Sequence, residues 1–263
     1  MEFKMKPVAL ITGASSGIGF ELAKVFAQEG YDLIVTADRG IRSAAQKLSD
    51  LGAEVESYEV DLTLVNAVSE LTTFVQQTGH VIDVAVLNAG AGVGGQFATE
   101  TNLSDEEYII KLNCLSTVQL AKWVVKEMLE HGQGQILFTS SVVGVMPSPL
   151  QSVYGATKAF VHSFAEGLRI ELKGTGISVT ALQPGATETN FFDGPGLRET
   201  KVGQAKKDDP AKVARQGYEA LMDGEDHIVA GSFKNKIQIA INKFLPEGMK
   251  GIAPKSYGEK VDH

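Results

Sequence analysis

Val8-Ala9-Leu10-Ile11-Thr12-Gly13-Ala14-Ser15-Ser16-Gly17-Ile18-Gly19 is the stretch that decides the fold. Residues 8–11 are apolar without alternation, the pattern of a short strand buried on both faces. Residues 20–28 then carry apolar side chains at helical spacing. Gly30 stands where such a helix needs a residue tolerant of the left-handed conformation. Strand, glycine-rich turn and helix in that order make the opening half of a βαβ unit.

The alternation continues outward from this unit. Strands are read at 33–35, 55–60, 81–87, 136–139 and 177–182. Helices are read at 42–51, 65–77, from 105 through Trp123 to 131, at 155–173 and at 211–222. Strands alternating with helices of about a dozen residues predict an α/β fold with a doubly wound parallel sheet, Rossmann-like. Right-handed crossovers would place ligands at the carboxyl ends of the strands. No composition break or internal repeat divides residues 1–263, so one domain is expected. Residues 190–210, rich in Gly, Lys and Asp, read as a flexible loop on the substrate side. Residues 232–263 read as a tail, with Phe233, Ile237, Ile241 and Leu245 on one stripe and Lys234, Lys236 and Lys243 nearby. Such a stripe packs on its own domain or on a partner subunit, a membrane surface being the alternative.

Composition narrows the function. The net charge of −8 argues against a nucleic-acid partner. Cys114 is the one cysteine, so an internal disulfide is excluded, and no motif around it supports a thiol nucleophile. The five histidines show no metal-ligand spacing, so no metal is expected. No run of 18 apolar residues predicts a membrane span. The first residues lack the apolar region and cleavage site of a signal peptide, so a cytoplasmic location is expected.

The turn at 12–19 suits a dinucleotide. Gly13, Gly17 and Gly19 let the backbone approach a pyrophosphate, Ser15 and Ser16 add hydroxyls, and the helix that follows Ile18 and Gly19 offers N–H groups and a positive dipole end. A plain flexible turn is the alternative. Asp38 lies 19 residues beyond Gly19, where an acid accepts bonds from the adenosine ribose and repels a 2′-phosphate. Arg39 beside it would do the reverse by pairing with that phosphate. Tyr154 and Lys158 are four residues apart and share a helix face. A neighbouring ammonium lowers a phenol's pKa toward the working range of a general acid and base. Ser141, at the preceding strand's end, is placed to bond a reacting oxygen.

Taken together these pieces resemble the short-chain dehydrogenase/reductase family over roughly residues 7–190. The matching motifs are Thr12 to Gly19, Asp61-Leu62-Thr63, Asn88-Ala89-Gly90, Asn113, Ser140-Ser141, Tyr154-Gly155-Ala156-Thr157-Lys158 and Pro184-Gly185, all in the family's order. The resemblance implies an NAD(P)-dependent oxidoreductase acting on a carbonyl or secondary alcohol. It implies Tyr154 as proton donor or acceptor, and Lys158 as the group that holds the nicotinamide ribose and depresses the tyrosine pKa. Ser141 would orient the substrate oxygen, and Asn113 would support a water-mediated proton path. Asp61 and Leu62 would touch adenine, while Asn88, Ala89 and Gly90 line the cofactor cleft. Thr187 and Thr189, after Pro184 and Gly185, would meet the nicotinamide amide. For Asp61 the alternative is a helix cap. For Asn113 it is satisfaction of backbone groups.

Two departures from the family pattern bear on the cofactor. Ser16 stands where relatives that prefer NADP often carry a base. Ala37 stands where the acid of relatives that prefer NAD more often sits, with Asp38 one place late. On balance NAD is slightly favoured over NADP. Val143, Met146, Gln151, Phe191 and Phe192 lie near the catalytic motifs and predict a mostly apolar substrate pocket; for the two phenylalanines core packing is an equal alternative. A catalytically silent NAD(P)-binding sensor or scaffold, and a redox-neutral epimerase, are the competing functions. In relatives the helix with Trp123 and the helix at 155–173 pair with their symmetry mates. The resemblance therefore implies a homodimer, with a tetramer possible. The short glycine-rich ending of many tetrameric relatives is not found here.

Overall fold

The computed structural model describes residues 6–232 and 258–260. Its centre is a seven-stranded sheet in the order β3-β2-β1-β4-β5-β6-β7, with every pairing parallel. The strands are β1 Val8–Thr12, β2 Asp32–Ala37, β3 Val55–Glu59, β4 Val84–Leu87, β5 Gly134–Thr139, β6 Ile177–Pro184 and β7 His227–Ala230. The helices are α1 Gly17–Gln28, α2 Ile41–Ser49, α3 Ala67–Thr78, α4 Leu103–Ile110, α5 Ser116–His131, α6 Ser152–Glu171, α7 Lys201–Gln204 and α8 Pro210–Met222. The doubly wound, Rossmann-like architecture expected from the strand and helix alternation is the one found.

Every residue of β1 is buried, as its unbroken apolar run requires of a strand covered on both faces. One cover is α1, α2 and α8, whose Leu22, Phe26, Ile41, Leu48 and Val213 pack on Ile11, Val35 and Val86. The other is α3, α5 and α6, whose Leu71, Leu120, Val124 and Val161 pack on Leu10, Ile34, Ala85 and Phe138. Phe26 is fully buried and meets Tyr31 and Tyr218 edge to face, each at 5.1 Å between ring centroids. Both faces are therefore closed by helices, and the carboxyl edge of the sheet is left to the loops.

Four differences from the sequence reading matter for the site. The helix read from 105 onward is α4, a π-helical turn at Lys111–Leu115, and α5. The helix read at 155–173 begins at Ser152, so its first turn lies at the sheet edge. The loop at 190–210 is not irregular throughout: it holds a 3₁₀ turn at Asn190–Asp193 and the short α7. An edge strand, β7, was not anticipated. The amphipathic stripe Phe233, Ile237, Ile241 and Leu245 lies outside the described residues. Among the described residues no helix is long and apolar enough to cross a membrane, and no cluster of His, Cys, Asp or Glu is arranged to hold a metal.

Candidate active site

The turn after β1 is shaped by its glycines. Gly13 and Gly17 have φ of 68° and 57°, the region L side chains avoid. A Cβ on Gly17 would lie 2.9 Å from Thr189 Cγ2, and a Cβ on Gly19 would strike the Gly13 carbonyl. Ser16 is the N-cap residue of α1 but its side chain makes no capping bond, and no acid stands in the first turn. The helix end thus keeps its N–H groups and positive dipole for an outside anion, which fits a dinucleotide pyrophosphate.

Thr12 and Asn88 tie three strand ends together. The Asn88 and Ala89 amides donate to Thr12 Oγ1 at 3.0 Å each, and Asn88 Nδ2 donates to the Thr12 carbonyl at 3.1 Å. Thr139 Oγ1, ending β5, donates to Asn88 Oδ1 at 3.1 Å. Asn88 is therefore a strut of the cleft floor, with Ala89 and Gly90 running along it. A Cβ on Gly90 would lie 3.1 Å from both Lys158 Nζ and Asn113 Oδ1, so only glycine keeps that stretch open.

Tyr154, Lys158, Ser141 and Asn113 converge beside this floor. Tyr154 and Lys158, one turn apart near the start of α6, are both buried, and the lysine nitrogen lies 5.9 Å from the tyrosine ring centroid. Lys158 Nζ donates to the Thr139 carbonyl at 2.9 Å. Ser141, two residues past the end of β5, is the N-cap residue of a 3₁₀ turn rather than a strand residue. Its hydroxyl donates to the Pro184 carbonyl at 3.3 Å. Asn113 sits in the π-helical turn, where Oδ1 accepts from the Ala91 amide at 3.0 Å and Nδ2 donates to the Ala91 carbonyl at 3.0 Å and to Thr157 Oγ1 at 2.9 Å. The extra residue of the turn lets Asn113 face Ala91 and α6 at once, and π-turns of this kind concentrate at functional sites.

Electrostatics differ from expectation in one respect. Burial pushes the Tyr154 phenol up to about 12, and the adjacent Ser141 hydroxyl draws it down by less. Burial also brings Lys158 down to about 8. The lowering of the tyrosine expected from its lysine neighbour is not found: desolvation governs both groups and disfavours the phenolate and the ammonium alike.

The remaining residues divide. Asp38 and Arg39 follow β2 and pair at 3.3 Å, with Arg39 almost fully exposed. Asp61 Oδ1 accepts from the Thr63 amide and hydroxyl at 2.9 and 2.7 Å, shaping its own turn rather than capping α3, whose N-cap residue is Asn66. Leu62 is buried under it. Thr187 Oγ1 donates to the Gly185 carbonyl at 2.9 Å, and Thr189 Oγ1 accepts from the Phe191 amide at 3.3 Å. Val143 and Phe191 pack in one cluster with Tyr154, and the Phe191 ring lies 5.1 Å from the tyrosine ring. Phe192 instead turns into the protein, buried beneath Lys207 Nζ at 4.8 Å. Gln151 is the N-cap residue of α6, its carbonyl accepting from the Gly155 amide at 2.8 Å, and Met146 accepts at its own carbonyl from Ser148. Neither belongs to the cluster around Tyr154. Ala91, Val93, Ile109 and Val153 do. Val93 and Ile109 were missed because they lie 61 and 45 residues from Tyr154 in sequence and carry no motif.

A dinucleotide cleft at the carboxyl edge of a parallel sheet, with a buried tyrosine, lysine and serine beside it, defines a nicotinamide-dependent oxidoreductase. The family model described as short chain dehydrogenase matches residues 7–196. The chain belongs to the short-chain dehydrogenase/reductase family. It is 34% identical over 216 residues to the NADP-dependent 3-hydroxy acid dehydrogenase YdfG of Salmonella typhi, covering 81% of this chain and 87% of that one. A short-chain dehydrogenase from Sphingobium yanoikuyae, solved in complex with NADPH, is 32% identical with a TM-score of 0.77, covering 85% of this chain and 87% of that one. The bulky-bulky ketone specific alcohol dehydrogenase from Comamonas testosteroni is 26% identical with a TM-score of 0.75, covering 92% and 95%.

Proposed function

We propose that the chain interconverts an apolar ketone and its secondary alcohol, with Tyr154 as general acid and base. The observation that carries this is the placement of Tyr154: buried among Ala91, Val93, Ile109, Val143 and Phe191, with Ser141 and Lys158 at its polar side. When bound, the nicotinamide supplies or takes the hydride. In the reducing direction the carbonyl oxygen takes the Tyr154 proton while Ser141 Oγ turns from Pro184 to hold that oxygen. Lys158, brought down to about 8 by burial, binds the nicotinamide ribose with the proton it still carries at neutral pH and steadies the phenolate left behind. Asn113 positions Ala91 and, through Thr157, the first turn of α6; a water on its Oδ1 is the proposed route for returning the proton. Because burial pushes the phenol up to about 12, Tyr154 holds its proton near neutrality and serves there as the donor for ketone reduction, while its action as a base for alcohol oxidation gains as pH rises.

Cofactor choice turns on Asp38 and Arg39. Their mutual pairing offsets the acid's repulsion of a 2′-phosphate, and two of the similar proteins are named with NADP or NADPH. The sequence leans slightly toward NAD; the reading proposed is that both cofactors are accepted, with Asp38 bonding the ribose of NAD and Arg39 turning to the phosphate of NADP. A panel of aliphatic and aromatic ketones, followed by absorbance with NADH and with NADPH, tests the reading. Turnover of apolar ketones supports it, and no turnover with either cofactor overturns it.

A further inference from the structure

Gly258-Glu259-Lys260 lies at the carboxyl edge of the sheet, far in sequence from everything it touches. Thr200 pairs with Lys260 in an antiparallel bridge, and the Lys201 amide donates to the Glu259 carbonyl at 2.8 Å. Lys201 Nζ meets Glu259 Oε2 at 2.8 Å, and Lys260 Nζ meets Glu100 Oε1 at 2.9 Å. Gly258 is buried so closely that a Cβ there would stand 3.1 Å from Leu150 Cβ and 3.2 Å from the Pro149 carbonyl. Three residues therefore join the loops that follow β4, β5 and β6, the three loops that surround Tyr154.

Those loops are also fitted to one another. Gly94 donates from its amide to the Pro195 carbonyl at 2.9 Å, and Gly95 to the Leu150 carbonyl at 2.7 Å. Leu150 is held at φ 65°, a conformation leucine rarely takes. Phe191 and Leu197 pack where Gly92 and Gly94 lack side chains, and this brings Phe191 against Tyr154. Local backbone strain of this kind persists only where the surroundings over-determine it. Here the surroundings of Leu150 are Gly95 on one side and Gly258 on the other.

We propose that Gly258-Glu259-Lys260 is a strap that closes the substrate site, latching the Thr200–Lys201 end of the substrate loop to Leu150 and Glu100 so that Phe191 is held over Tyr154. The proposal rests on the ketone reductase reading for what the site binds, but the latch is a property of the fold. The two ion pairs are exposed and contribute little. The backbone pairing and the burial of Gly258 carry most of the hold. Substrate affinity is the quantity the strap controls, because it sets the wall that packs on the apolar substituents and, among the described residues, bonds to Thr200, Lys201 and Glu100.

Hydrogen exchange and steady-state kinetics on the full chain test this together. In the wild type the Lys201 amide is expected to exchange slowly. Gly258→Val should speed that exchange on the order of tenfold and raise the KM for a ketone of the panel, with the NADPH dissociation constant unchanged. Lys260→Glu should speed it about threefold, the scale of one exposed pair. The exchanged pair Lys260→Glu with Glu100→Lys should restore it, which separates the latch from misfolding of the valine variant. A Lys201 amide that exchanges freely in the wild type overturns the strap. Faster exchange in the variants with an unchanged KM overturns its role in substrate binding. A wild type that reduces no ketone overturns the catalytic reading instead, and the exchange of Lys201 still decides the latch.

Discussion

Ser141, Tyr154 and Lys158 are the residues proposed to carry the chemistry, and their burial fixes how each responds to change. Tyr154→Phe keeps the ring that packs on Phe191 and removes only the proton. It should lower kcat on the order of 10²-fold or more while cofactor affinity, read by fluorescence titration, stays near wild type. Turnover close to wild type would remove Tyr154 from the role of acid and base. Lys158 makes a second, independent signature. Its value falls from 10.5 in the unfolded chain to about 8 when folded, so between those values the unfolded state holds more protons. The cost of the buried ammonium is full below pH 8 and is relieved as the pH climbs toward 10.5, so stability rises over that window. Tyr154 acts in the opposite sense: its folded value of about 12 lies above the ordinary 10.0, so it withdraws stability above pH 10. Urea midpoints should therefore climb from pH 8 to about 10 and then fall. In Lys158→Met the climb should vanish; a climb that survives assigns it to other groups. At the outer end of the cleft, Asp38→Ala frees Arg39 from its 3.3 Å partner. The affinity ratio of NADP to NAD should rise roughly fivefold, the scale of one exposed charge pair. An unchanged ratio would show that Asp38 faces solvent in the complex.

Among the elements, the π-helical turn Lys111–Leu115 has the largest local consequence. Asn113 is buried there and satisfies both Ala91 backbone groups and the Thr157 hydroxyl. Asn113→Ala takes their partner from the two Ala91 backbone groups, while the Thr157 hydroxyl keeps its bond to the Tyr154 carbonyl. The expected loss is about 2 kcal/mol or more, since each stranded buried group costs about 1–3 kcal/mol. Thermal unfolding measures it, and an unaltered Tm would mean that solvent enters and replaces the amide. The sequence revealed Asn113 as a motif residue but not the turn that aims it, because Lys-Leu-Asn-Cys-Leu continues the helical pattern on both sides. The phosphate turn was fully legible: its glycines, the buried strand before it and the periodic helix after it each point to one local geometry. Tyr154, Lys158 and Ser141 were legible for the same reason, being fixed by short spacings on α6 and the end of β5. β7 escaped because His227-Ile228-Val229-Ala230 is four residues long, too short for a period to register. The apolar wall of Val93, Ile109 and Val153 escaped because it is made by three elements meeting in space. For Phe192 the sequence leaves substrate lining and core packing as equal readings, because adjacent aromatics on a 3₁₀ turn point different ways and only packing chooses which one is buried.

At the scale of the whole molecule, the outer face of α6, with the end of α4 and the π-helical turn beside it, leaves apolar surface uncovered among the described residues. Phe160 is 44% exposed and stacks on Phe164 at 6.1 Å between ring centroids, with Ala156, Ala159, Gly167 and Leu168 forming a shallow groove around them. Phe97, Ile110 and Cys114 line a second apolar hollow beside the start of α6. These hollows lie along neighbouring helices, so an apolar band runs beside the helix that holds Tyr154 and Lys158. A two-fold contact through such a band is self-complementary and closes on itself. We predict a homodimer formed through α5 and α6, which would also brace the first turn of α6 and so couple assembly to catalysis. Trp123 and Phe164 are unsuitable probes, because both also pack on the core of Phe138 and Val124 and a charge there would unfold the chain. Phe160 has no such role in the core clusters, so Phe160→Glu places a charge in the proposed contact and leaves the sheet intact. Light scattering at micromolar concentration should give a dimeric mass for the wild type and a shift toward monomer for the variant. The Tm of the variant's dilute monomer should match that of wild-type protein diluted below its own dissociation constant. A folded wild type of monomeric mass would refute the dimer, and a variant that remains dimeric would move the contact away from α6.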